Sequence, residues 1–191
     1  RTMSEDEKQP GGRSHEKDGD VLLVATHHTS ALIRVRGRGS FKVGPPLKQF
    51  GLSAIGSGCK QFILDMDECI GMDSTFMGVL AGLALRLKQE AGGRMIMMNL
   101  SSKTFALLET LGLDRLIEAY VEGSTSEDLR KRLADIADMS AIKGATSDTK
   151  LTLETMLAAH EDLVKVSADN LPKFKNVMAY LSADLKQFEG A

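Results

Sequence analysis

Apolar residues change their spacing several times along this chain, and each change marks an element. Val21-Leu22-Leu23-Val24-Ala25 is a β-prone run, broken at His27-His28-Thr29-Ser30. Leu32, Ile33 and Val35 then resume between Arg34 and Arg36, so the two stretches predict an opening hairpin. Gly37, Gly39 and Gly44-Pro45-Pro46 punctuate a turn. Leu47, Phe50, Leu52 and Ile55 predict a first helix, weakened by Gly51 and closed by Gly56-Ser57-Gly58. Residues 61–66 read as a strand, and their consecutive apolar side chains suit a central position covered on both faces. From Phe76 the apolar positions 76, 77, 79, 80, 83, 84 and 87 share one helical face. Asp73-Ser74-Thr75 is placed to cap that helix, and Gly92-Gly93 to stop it near Glu90.

Residues 94–99 predict another strand, its methionines filling irregular space against helices. Ser101 caps a helix carrying Phe105, Leu107, Leu108 and Leu111, which Gly112 ends. A short edge strand is expected within 116–121, and a helix from Thr125-Ser126 with Leu129, Leu133, Ile136 and Met139 on one side. Residues 140–146 read as a connector, after which no β-prone run returns. Ser147 can cap a helix with Leu153, Met156, Leu157, His160, Leu163 and Val164 at period three to four. Pro172 suits the first turn of a last helix striped by Phe174, Val177, Met178, Leu181, Leu185 and Phe188. The pattern predicts a small α/β domain with a mixed sheet of four or five strands, helices mainly on one side, and a C-terminal helical hairpin. That hairpin must dock on the domain or on a second copy of the chain.

Composition narrows the function classes. With 191 residues, 42% hydrophobic and 26% charged, the chain can bury an ordinary core. A net charge of -2 argues against a nucleic-acid-binding protein. No apolar run approaches the roughly 18–20 residues that cross a bilayer, so no membrane partner is expected. Residues 1–19 are polar, predict a disordered tail and do not resemble a secretory signal; Met3 is a candidate native start. Cys59 and Cys69 read as free thiols, which places the protein in a reducing cytoplasm.

Catalytic patterns are weak. Ser74 stands in no GxSxG elbow and has no ordered His and Asp to complete a triad. His27 and His28 point to opposite faces of a strand, a poor metal arrangement. His160 falls on an apolar stripe and reads as a satisfied interface histidine. Asp65, Asp67, Glu68 and Asp73 cluster at a strand end, where a solvated end outweighs a cation loop. Gly37-Arg38-Gly39 and Gly56-Ser57-Gly58 are too short for a phosphate cradle. No catalytic residue, metal ligand or cofactor is therefore expected, and the plain reading of Asp73-Ser74-Thr75 is helix capping.

The wider run GMDSTFMGVLAGLALRLKQEAGGRMIMMNLSSKTFALLETLGLDRLI resembles a STAS domain of the bacterial anti-anti-sigma factor family. Met72-Asp73-Ser74-Thr75, Met77-Gly78, Gly92-Gly93 and Leu111-Gly112-Leu113 match the family's motifs. The resemblance covers about residues 20–140 and leaves 147–191 as a helical extension. It implies a phosphorylation-controlled partner switch. Unphosphorylated Ser74 would let the chain bind an anti-sigma factor that is also a serine kinase, and a serine phosphatase would reset it. Asp73, Ser74, Thr75, Phe76 and Met77 are the partner-binding residues so implied. Two departures stand out: Phe76 replaces the usual Gly and is expected in the core, and Ser40 or Phe41 occupies the place of a family Asp. The alternatives are a non-switching STAS scaffold or adaptor, and a small-molecule or nucleotide sensor built on the acidic strand end. Self-association through the C-terminal helices completes the set of expected partners.

Overall fold

The strand-forming runs assemble into a seven-stranded mixed sheet in the computed structural model, which describes residues 19–134, 136, 138–144 and 148–190. In chain order come β1 (Val21–His27), β2 (Ser30–Gly39), α1 (Gly44–Gly56), β3 (Gln61–Asp65) and β4 (Cys69–Met72). They are followed by α2 (Ser74–Ala91), β5 (Arg94–Leu100), α3 (Ser102–Thr110), β6 (Glu118–Val121) and α4 (Glu127–Ala134). Last are β7 (Ser140–Lys143), α5 (Thr149–Val166) and α6 (Leu171–Glu189). The sheet order is β6-β5-β3-β2-β1-β7, with β4 paired to the far end of β2. β1 and β2 form the expected antiparallel hairpin, from Val21 opposite Arg36 to His27 opposite Ser30. β2, β3, β5 and β6 run parallel, so each crossover carries a helix.

Alternation along the central strands explains their unbroken apolar runs. Ala31, Ile33, Val35, Phe62, Leu64, Met95 and Met97 face a main core shared with α1, α2, α3 and α5. Leu32, Ile63, Ile96 and Met98 face the other way and are covered by Leu129 and Leu133 of α4. The helices thus lie mainly on one side, as expected. The α4 helix ends at Ala134, earlier than the expected stripe, yet Ile136 and Met139 still pack against this second core. The sheet has more strands than the expected four or five. The expected connector contributes β7, and the approach to α2 contributes β4. Each is four residues long, too short for a period-two signal, and each forms because a neighbouring strand offers unpaired backbone groups. The amino-terminal tail up to residue 18 and the expected cap Ser147 lie outside the described residues. The N-cap of α5 is Asp148, whose side chain accepts from Leu151 N.

The C-terminal hairpin shares the main core through Ala159, Leu163 and Phe174. Its inner face is narrower than the period-based stripe. Thr155, Ala159, His160 and Leu163 are the deeply buried positions, because α5 crosses α2 at backbone distance. A Cβ built on Gly78 would stand 2.3 Å from the Ala159 carbonyl oxygen, and one on Gly82 would stand 2.4 Å from Asp162 Oδ2. At the hairpin's turn, buried Asn170 donates from Nδ2 to the carbonyls of Leu111 (2.9 Å) and Leu163 (2.8 Å), and Lys173 Nζ donates to Thr110 O. These bonds tie the end of α3 to the hairpin. On α6, Leu181 is buried, whereas Phe188 at the end of the stripe is exposed.

The crossing predicts opposite fates for two glycines. Gly78→Val drives a side chain into the α5 backbone and should cost about 1–3 kcal/mol in urea unfolding. Gly56 has open space at its Cβ, so Gly56→Ala should add about 0.4–1 kcal/mol. Equal melting of the two variants would contradict the packing described.

Candidate functional site

The site is built at the junction where β4 turns into α2. β4 runs parallel beside the last residues of β2, with Cys69 opposite Gly37 and Met72 opposite Gly39. Asp73 N donates to Gly39 O at 2.9 Å, which fixes where the chain leaves the sheet. Asp73 itself is extended (φ -96°, ψ 172°), and its carboxylate does two jobs. Oδ1 accepts from Phe76 N at 2.8 Å and caps α2, while Oδ2 accepts from Phe41 N at 2.6 Å and holds the turn between β2 and α1.

Ser74 is the first helical residue and is half-buried. Its hydroxyl lies 2.9 Å from Nε2 of His160, carried on α5. The other ring nitrogen, Nδ1, lies 2.6 Å from the Met156 carbonyl, and the ring meets Phe174 of α6 edge-on at 5.0 Å. His160 is 2% exposed and is the interface histidine its stripe suggested. Sequence reasoning missed that it reaches Ser74, because the two residues stand 86 positions apart. The available signal was a titratable side chain on an otherwise apolar stripe.

Of the five expected partner-binding residues, Asp73 and Ser74 retain exposure. Thr75, Phe76 and Met77 do not: they turn into the core, where they are 3%, 0% and 4% exposed. The first turn of α2 points its apolar side inward. Phe76 fits because residue 39 is glycine; a Cβ there would come within 2.7 Å of the Phe76 ring. The exposed large apolar side chains near this junction are instead Phe41 and Ile70.

The acidic cluster is dispersed among structural contacts. Asp65 accepts from Arg34 Nε at 3.1 Å and from Asn99 Nδ2 at 2.9 Å, and Glu68 pairs with Arg36. Beside Ser40 the carboxylate comes from Asp20, whose Oδ2 accepts from Ser40 Oγ at 2.7 Å. His27 and His28 are exposed at the hairpin turn. Burial pushes the thiols of Cys59 and Cys69 up, which keeps both in the neutral form at pH 7. Among the described residues no cluster of three or more His, Cys, Asp or Glu side chains could hold a metal ion, and no helix is long and apolar enough to cross a membrane. A groove of about 380 Å³ lies between α1, α2 and α5, away from the acidic strand end. Its Arg86 pairs with Glu90 and its Lys165 with Asp162, so these charges are already matched.

Among known proteins, the profile of the STAS domain matches residues 15–137, more than half of the chain. The chain is similar to the solved structure of an anti-sigma factor antagonist from Mycobacterium paratuberculosis, at 20% identity and TM-score 0.49, covering 62% of this chain and 97% of that one. For a candidate anti-sigma factor antagonist from Thermotoga maritima the values are 14%, 0.50, 59% and 94%. For the Bacillus cell fate determinant SpoIIAA in its phosphorylated form they are 21%, 0.46, 59% and 98%. At 14% identity the likeness to the Thermotoga maritima structure speaks for the fold alone. No curated protein matches the sequence significantly.

The double role of Asp73 makes a direct prediction. Asp73→Ala removes a cap and a loop brace together and should lower unfolding free energy by about 1–2 kcal/mol in denaturant titration. A change below ~0.3 kcal/mol would mean the brace contributes nothing.

Proposed function

Because this chain belongs to the STAS domain family, we propose that it is a phosphorylation-controlled partner-switching regulator, an anti-sigma factor antagonist whose acceptor is Ser74. The observation that carries this reading is the placement of a half-buried hydroxyl on the first residue of α2, at a junction pinned by Asp73. Such a hydroxyl receives chemistry rather than performing it. Phosphorylation adds about -1.5 to -2 charges at neutral pH. The start of α2 accommodates the anion through its dipole and free N–H groups, so the fold is kept. Beside Asp73 the new charge changes the docking surface instead. A clash of ~3 kcal/mol with a partner alters affinity about a hundredfold, enough for a binary switch.

In this reading the partners are an anti-sigma factor that is also a serine kinase, and a serine phosphatase, both in the cytoplasm, and the chain is their substrate rather than an enzyme with a substrate of its own. The STAS unit spans about 20–140 and the hairpin is an added element. Incubation with the cognate kinase and ATP, followed by phosphosite mapping, should place the phosphate on Ser74; label elsewhere, or none, would sink the switch.

One observation favours the adaptor reading as the second choice: the Ser74 hydroxyl is already engaged by a buried histidine. Equal partner binding by Ser74→Ala and Ser74→Glu would select it. Self-association belongs to the proposal through the outer face of α6, where Tyr180 is 74% and Phe188 44% exposed. Deleting the hairpin would strip the core, so the cleaner probe is the pair Tyr180→Glu and Phe188→Glu. A fall in solution mass is expected, and an unchanged mass removes the oligomer.

A further inference from the structure

The contact between Ser74 and His160 has a defined direction. The Met156 carbonyl is an acceptor only, so the His160 Nδ1 facing it at 2.6 Å carries a hydrogen. In the neutral ring Nε2 is then a bare acceptor, and the Ser74 hydroxyl donates to it across 2.9 Å. The ring has little freedom to leave. It is almost fully buried, Phe174 packs edge-on against it, and the Gly78–Ala159 crossing sets the spacing of the two helices one turn away. A serine hydroxyl held by a histidine whose second nitrogen is oriented by an acceptor is the arrangement of an activated hydroxyl. Here no third side chain is needed, since the backbone carbonyl of Met156 does the orienting.

We propose that His160 is the built-in proton acceptor of Ser74 and, once Ser74 is phosphorylated, the counter-ion of the phosphoserine, so that the C-terminal hairpin reads the modification state. The inference rests on the reading of Ser74 as a phosphoryl acceptor. The step balances without further reagents beyond the kinase's nucleoside triphosphate. The Ser74 Oγ–P bond forms, the bond from the γ-phosphorus to the bridging oxygen breaks, the nucleoside diphosphate leaves, and the hydroxyl proton passes to His160 Nε2. The product would be a dianion facing an imidazolium. A neutral ring would leave its lone pair pointing at phosphate oxygens, whereas the charged ring donates Nε2–H to them while Nδ1–H keeps its bond to Met156. Phosphorylation therefore exchanges a neutral hydrogen bond for a charge-assisted one and fastens α5 and α6 more firmly to α2.

The test needs no kinase. The full chain is prepared unmodified and with phosphoserine installed at position 74 during translation, both with ¹⁵N-labelled histidine, and compared at one neutral pH. The expected result is a neutral His160 with its hydrogen on Nδ1 in the unmodified chain, and both nitrogens protonated in the phosphoserine chain. Amide exchange within α5 and α6 should slow about tenfold on phosphorylation, and the slowing should vanish in His160→Gln. A ring that stays neutral beside the phosphoserine, or hairpin exchange that is unchanged or faster, overturns the assignment. Because the ring measurement uses the natural side chain, poor folding of His160→Gln leaves it decisive. Failure of the native kinase to label Ser74 would strike the switch reading instead, and the ring's behaviour beside an installed phosphate would still be decided separately.

Discussion

The backbone contact between α2 and α5 is the constraint on which the site depends. Two helices approach this closely only where side chains are removed, and Gly78, Gly82 and Ala159 supply that space. His160 follows Ala159 directly, so the approach that buries the small residue also delivers an imidazole to the end of α2. Asn170 and Lys173 secure the opposite end of the hairpin to α3. The hairpin is held at two places along the same face, and its position is set by packing and by hydrogen bonds together. In this STAS domain the serine that opens α2 is met by a second element of its own chain.

Asp73 supplies the complementary constraint from the sheet side. One carboxylate satisfies a free N–H of the helix start and the N–H of Phe41, so the two turns that border Ser74 are tied to one side chain. The core then takes up Thr75, Phe76 and Met77. What stays accessible at the junction is narrow: the Asp73 and Ser74 side chains, with Phe41 and Ile70 exposed nearby. Under the proposed switch, a charge change on Ser74 is large against so small a surface.

Much of this was legible locally. The strand β3, the helix α2 with its Gly92 stop, and the Ser101 cap of α3 all follow from residues within one element, whose spacing carries the signal. The family resemblance of the MDST stretch pointed to the same serine. The four-residue strands β4 and β7 were illegible because their formation depends on a neighbour's unpaired edge. The burial of Phe76 was foreseen from the helix stripe, but its reason, a glycine at position 39 on another strand, belongs to tertiary structure. Thr75 and Met77, which the motif groups with Ser74, are buried alongside Phe76. The Ser74–His160 pair lay furthest out of reach. Neither residue's neighbours encode it, and only the crossing of α2 by α5 brings them together.

The central claim is that the state of the Ser74 hydroxyl decides what this chain binds. The most direct measurement is the affinity of a protein captured from the native cell on the unmodified chain, determined by calorimetry against the unmodified chain and against the chain carrying phosphoserine at position 74. A difference of about a hundredfold is predicted, equivalent to ~3 kcal/mol. Equal affinities for the two forms would contradict the account.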